Sequence, residues 1–188
     1  KIAVGLNYLI RKRGPGRDNF LQAGAFLKSR EGLDRPDLQL HYVNAMMIDH
    51  GRTAVESDGF TIHACQLRPE SRGTIKLASS NPFDHPLIDP NYRRAMREGV
   101  RISRDIARQE AFDHLRGEEY MPGDSIKTDA EIDAFIRENG ETIYHPVGTV
   151  RMGTDPHSPL DGDLKVRGVD GLRVVDAGCM PNVSNGNT

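Results

Sequence analysis

Apolar and polar positions alternate with a period of two in the middle of the chain. Leu38, Leu40 and Tyr42 alternate with Gln39, His41 and Val43, and Phe60, Ile62 and Ala64 alternate with Thr61, His63 and Cys65. Such alternation sends one set of side chains to each face of a strand. Thr74 to Ala78 reads as a further strand with Ile75 and Leu77 on one face, after a turn at Ser71-Arg72-Gly73. Phe20 to Phe26 is a fourth strand, weakened by Gly24. Short turns between strands predict antiparallel pairing. The period then changes. Over residues 91–109 Met96 pairs with Val100 and Ile102 with Ile106 at i,i+4, which predicts a helix. Arg93, Arg94, Arg97, Arg104 and Arg108 fall mostly off that stripe and are expected to solvate it. A second helix starts at Thr128, with Glu131 three residues on, a capping box. Ile132, Phe135 and Ile136 form its apolar stripe, and Asn139-Gly140 ends it.

Three stretches lack a period. Residues 1–18 carry Arg11-Lys12-Arg13-Gly14-Pro15-Gly16-Arg17 and read as a basic loop. Asn81 to Pro90 holds three prolines and also reads as a loop. After Gly140, glycine and proline become frequent, and short strands are expected at Lys165–Val166 and Leu172–Val175 around an Asp170-Gly171 turn. A boundary near residue 141 divides the chain into 1–140 and 141–188. The predicted class is α+β.

Composition narrows the function. At 188 residues the chain can bury a core without disulfides or metals. A net charge of −2 argues against a binder that tracks nucleic-acid phosphates. The apolar run Tyr8–Ile10 is too short for a signal-peptide core. Cys65 and Cys179 lie far apart, which favours a reducing compartment such as the cytoplasm. The missing initiator Met, and an end at Asn187-Thr188, lead us to expect a piece of a longer protein. Seven histidines are scattered with no metal-ligand spacing, so no metal site is expected. There is no Gly-x-Gly-x-x-Gly, no phosphate loop and no Gly-x-Ser-x-Gly elbow.

Two segments are dense in unusual residues. In Thr142 to Gly153, His145 precedes Pro146, which biases its backbone to extended conformations, and Gly148 and Gly153 let other backbone come close. Local chemistry alone leaves His145 open between a structural histidine and a base. In Gly171 to Thr188, an apolar strand runs into Asp176, then small residues and a polar loop. This is either a ligand-facing strand end or a surface turn.

Together these segments, with Arg72-Gly73-Thr74-Ile75-Lys76-Leu77 and His85-Pro86-Leu87-Ile88-Asp89-Pro90-Asn91-Tyr92, resemble the C-terminal half of the glucose-methanol-choline (GMC) flavin oxidoreductases. The choline dehydrogenase and bacterial alcohol dehydrogenase branch is nearest. The resemblance implies an antiparallel sheet with helices on one face as a substrate domain (1–140). Residues 141–188 would return to a FAD-binding domain whose glycine-rich fingerprint is absent here. It implies FAD as cofactor, an alcohol as substrate, and quinone or oxygen as electron acceptor. It leaves membrane association of the parent enzyme open.

By the same resemblance, His145 takes the hydroxyl proton and Asn187 hydrogen-bonds the alcohol oxygen. Asp176, Ala177, Asn187 and Thr188 border the flavin, and Ile143 sits near its ring edge or is an ordinary buried isoleucine. Choline-handling relatives carry a glutamate where this chain has Gln22 within Asn19-Phe20-Leu21-Gln22-Ala23-Gly24. An uncharged primary alcohol is therefore expected, with choline as the alternative substrate. Cys179 is expected to be buried filler. The competing reading is a flavin-free, inactive α+β module that serves as a binding or assembly surface.

Overall fold

The computed structural model describes residues 2–17, 19, 21–53, 55–69, 71–89 and 95–184. The central sheet has three antiparallel strands in sequence order: β1 (Leu21–Leu27), β2 (Leu38–Val43) and β3 (Thr61–Gln66). β2 pairs with β3 in unbroken register, Leu38 opposite Gln66 through Val43 opposite Thr61. β1 pairs with β2 through a bulge between Leu21 and Ala23, which leaves Gln22 without an opposite residue. Gly24 fits its place because a Cβ there would stand 2.9 Å from the Leu40 carbonyl.

The period-two alternation decides what each face meets. Helix α2 runs Met96–Ala107 and lies on the Leu38/Leu40/Ala64 face. Its contact residue is Gly99, where a Cβ would stand 2.7 Å from the Ala64 Cβ. Ser103, one turn on, also has a buried hydroxyl. The helix thus approaches through small side chains, and Met96, Val100, Ile102 and Ile106 are only half-buried. Tyr42, Phe60 and Phe112 close one end of this layer with ring centroids 5.4–6.2 Å apart. Leu38, Leu40, Val43, Cys65, Leu67 and Ile132 are buried, and Ile132 brings in helix α3 (Asp129–Asn139).

The capping box at Thr128 forms as expected: the Thr128 N–H donates to Glu131 at 2.8 Å, and the Glu131 N–H to the Thr128 hydroxyl at 3.3 Å. Gly140 ends the helix with its N–H on the Ile136 carbonyl.

Four expectations need correction. Residues Ile2–Arg11 form a helix, α1, where a basic loop was expected; the basic cluster begins only at its last residue. A cation there suits a helix C-terminus. Asn81 to Pro90 contains strand β5 (Leu87–Asp89), which pairs antiparallel with β4 (Thr74–Lys76) as a two-stranded ladder, Ile75 opposite Ile88. Pairing with β4 satisfies backbone groups that a loop would leave to water. Arg97 and Arg104 do more than solvate α2. Arg97 binds Asp133 at 2.5 Å and Asp129 at 2.9 Å across to α3, and Arg104, 13% exposed, is paired with Glu119 and bonded to the Ile126 and Gly123 carbonyls. The strands expected at 165–166 and 172–175 are single bridges, Leu160 with Val166 and Lys165 with Arg173. Arg93 and Arg94 lie outside the described residues. No helix among the described residues is long and apolar enough to cross a membrane.

Candidate functional site

The His145 segment is shaped by two left-handed positions. Tyr144 has φ 65° and Gly148 φ 83°, with Pro146 between them. A side chain is disfavoured there, so Tyr144 marks strain and Gly148 a position that suits glycine. The Tyr144 N–H donates back to the Thr142 hydroxyl at 3.0 Å. His145 itself is half-buried.

Downstream, Arg151 anchors the segment. Its guanidinium binds Asp155 in a fork (2.7 and 3.0 Å) and donates to the Ser158 hydroxyl at 2.5 Å. Ser158 is 1% exposed. Arg151, together with the Ser158 hydroxyl, holds the Asp155 carboxyl well below the usual carboxylate range. Arg167 ties the same knot from the other side, donating to the Ser158 and Gly153 carbonyls at 3.1 and 2.8 Å. A Cβ at Gly153 would overlap the Ser158 hydroxyl, so the knot needs glycine.

The second segment comes to the first. Asp176 is extended and caps a 3-10 turn over Ala177–Cys179, its Oδ1 accepting the Gly178 N–H at 2.7 Å. The backbones then join: the Val150 N–H donates to the Gly178 carbonyl at 3.1 Å and the Met152 N–H to the Cys179 carbonyl at 2.8 Å. A Cβ at Gly178 would stand 2.5 Å from the Thr149 hydroxyl. Cys179 is buried in this seam, 8% exposed, as the filler expected of it. Asp176 and Ala177 therefore directly precede the residues that bond to Val150 and Met152, five and seven positions after His145. Arg72, from the turn before β4, donates to the Asn182 amide oxygen at 3.0 Å.

The remaining site expectations fall elsewhere. Ile143 lies at the surface, 36% exposed, two residues before His145, and is not a buried core residue. Gln22 is exposed at the β1 bulge. Asn187 and Thr188 lie outside the described residues.

The fold also gathers histidines that look scattered in sequence. His41 and His63 stand directly opposite on β2 and β3, on the face away from α2. Burial lowers the pKa of both, and the neighbouring His41 and His50 lower that of His63 further against an opposing pull from Glu141. His50 Nε2 lies 2.6 Å from Glu141 Oε2, and its ring centroid 5.0 Å from that of Tyr144. Strand alternation puts His41 and His63 each on a definite face. Only the inter-strand register, a long-range property, makes them neighbours.

The sequence profile of GMC oxidoreductases matches residues 69–188. The chain is 45% identical to an alcohol dehydrogenase [acceptor] of Pseudomonas putida, over 98% of this chain and 35% of that one. It is 42% identical to the mitochondrial choline dehydrogenase of Mus musculus, over 100% of this chain and 33% of the relative. The chain thus spans about a third of the length of these relatives. Among solved structures, a formate oxidase of Aspergillus oryzae superposes with a TM-score of 0.81 at 26% identity, covering 99% of this chain and 38% of that one. The matched profile spans both site segments and the β4–β5 ladder, and with it the chain belongs to the GMC oxidoreductase family.

Proposed function

We propose that this chain is the substrate-binding and base-carrying part of a FAD-dependent alcohol dehydrogenase. Residues 1–140 form the substrate domain, and 141–188 the segment that returns to the flavin. The observation that carries this reading is the pair of backbone bonds, Val150 to Gly178 and Met152 to Cys179, which bring the His-Pro segment against the Asp176-Ala177 turn. In this reading the seam joins the segment of the proton acceptor to the segment that borders the cofactor.

The residues present fit FAD. Asp176 is exposed, one carboxylate oxygen caps Gly178, and the other has no partner among the described residues. A carboxylate accepts hydrogen bonds and donates none, so it suits the hydroxyls of a ribityl chain. Phosphate contacts would come from a glycine-rich fingerprint that these 188 residues do not contain.

When bound, the flavin supplies the hydride acceptor for the alcohol's α-carbon. His145 takes the hydroxyl proton, so the alcohol loses two electrons and becomes an aldehyde. Asn187, assigned by its spacing from Met180-Pro181, donates its amide N–H to the oxygen that becomes negative, without competing for the proton. Ile143 borders the approach to the ring. The substrate is an uncharged primary alcohol, because Gln22 offers no anion for a quaternary ammonium. Choline is the second reading, favoured by the 42% identity to a choline dehydrogenase. A quinone or oxygen would serve as the final electron acceptor.

The test is flavin bleaching by a primary alcohol under anaerobic conditions. His145→Ala is expected to slow bleaching by about 10²–10⁴-fold, the usual worth of a positioned base, with flavin content unchanged. Bleaching at the wild-type rate would remove His145 from the role.

A further inference from the structure

His50 has no part in the chemistry above, yet it sits in a run of left-handed backbone. Asp49, His50 and Gly51 have φ of 48°, 51° and 81°, three consecutive left-handed residues of which two carry side chains. Left-handed conformations at such residues persist only where surrounding contacts hold them. The loop is pinned at its base by the bridge from Ile48 to Thr53 and by the Gly51 N–H on the Ile48 carbonyl at 2.9 Å. That leaves His50 at its tip.

The tip reaches across about ninety residues of sequence to the start of the catalytic segment. His50 Nε2 meets Glu141 Oε2 at 2.6 Å, and the imidazole packs at 5.0 Å and 45° against the Tyr144 ring. Tyr144 is itself left-handed, with φ 65°, and is bonded directly to His145 in the chain. On the far side Pro146 restricts the backbone of His145 to extended conformations. The direction of His145 therefore depends on Tyr144 staying left-handed. Tyr144 is 60% exposed and gets little help from a core. Among the described residues the His50 ring packs against that of Tyr144, and Glu141 lies against His50.

We propose that His50 is a positioning residue for His145, acting through Glu141 and Tyr144. A loop of the substrate domain would thus clamp the segment that carries the base. This inference rests on the reading of His145 as that base.

The experiment uses the FAD-loaded full-length enzyme with 13Cε1-labelled histidines. The His145 signal is assigned by its loss in His145→Gln. His50→Ala and Glu141→Ala are each expected to move the His145 signal and to lower kcat for a neutral primary alcohol about tenfold, with KM within about twofold. A misplacement of about 1 Å is enough to cost that much. His50→Gln keeps an N–H that can donate to Glu141 and is expected to recover at least about a third of the lost turnover, which a general loss of packing would not allow. A His145 signal unmoved in both alanine variants overturns the proposal. If His50→Ala fails to fold, the exposed Glu141 variant decides. Moved signals in an enzyme whose His145→Ala variant still turns over at the wild-type rate would keep His50 as the residue that sets His145, and would remove His145 as the base.

Discussion

In the proposed reading Gln22 faces the substrate, so one added charge there is expected to have a readable effect. The bulge between Leu21 and Ala23 leaves it unpaired at the sheet edge, and a bulge of this kind re-aims the side chain it carries. Gln22→Glu is expected to raise kcat/KM for choline relative to a neutral primary alcohol by about fivefold or less. An exposed ion pair contributes at most about 1 kcal/mol. An unchanged ratio between the two substrates would place Gln22 outside the pocket. Single residues were legible in sequence where their chemistry is local. Gly153 reads as a point of close approach, met in the structure by the Ser158 hydroxyl rather than by backbone, and Cys179 is the buried filler expected. His41, His50 and His63 were not legible as a group, because they meet only through strand register and a loop excursion. The left-handed backbone at Asp49 and His50 has only a weak signature in residue type: Asp and His adopt it more readily than most residues, and a glycine follows them.

At the scale of elements, the helices differ in where their stability arises. Helix α3 announces itself at its start, since Thr128 and Glu131 satisfy each other's backbone donors and Glu131 also accepts the Lys127 N–H at 2.9 Å. These bonds hold the Glu131 carboxyl below its ordinary range. Thr128→Ala is expected to lower the unfolding free energy by about 1 kcal/mol, measured as a shift of the urea midpoint at constant slope. No shift would mean that the Arg97 and Arg101 pairs to Asp129 and Asp133 hold the helix without its cap.

Helix α2 was placed correctly by its pattern, but for an incomplete reason. Its large apolar residues suggested the buried stripe, whereas the close contact runs through Gly99. Hydrophobic periodicity marks amphipathic faces and is blind to a face built from small residues. Helix α1 was missed because Arg11-Lys12-Arg13 dominates the reading of its end. Its apolar residues Leu6, Leu9 and Ile10 are spaced for a helix but remain exposed, at 53%, 66% and 76%. Strand β5 shows the same limit: three residues between Pro86 and Pro90 have too little alternation to be seen, whereas its partner β4 is legible from Ile75 and Leu77.

The molecule as a whole is held at two places: the sheet under α2 and α3, and the knot of Arg151, Asp155, Ser158 and Arg167 beneath the site seam. Its response to acid should distinguish the charges of the knot from the histidines of the sheet. Both His41 and His63 have folded pKa values depressed by burial, and the Nε2 of His63 is buried without a hydrogen-bond partner among the described residues. Below the ordinary histidine pKa near 6.5 the unfolded chain takes up protons that these folded imidazoles refuse. Stability is then complete above about pH 6.5 and is lost as pH falls from there towards the folded values. Asp155 and Asp161 also have depressed pKa values, Asp155 through Arg151 and Asp161 through the Lys165 backbone N–H. Their contribution persists until the pH drops below the ordinary carboxylate range near 4. The interval from about pH 6.5 to 5 therefore belongs to the histidines. Urea midpoints across that interval should fall steadily in the parent protein. The fall should be shallower in His63→Gln and shallower still with His41→Gln added, because an amide takes up no proton there. A slope unchanged in the double variant would mean that other groups carry the acid sensitivity and that the paired imidazoles already accept protons in the folded state.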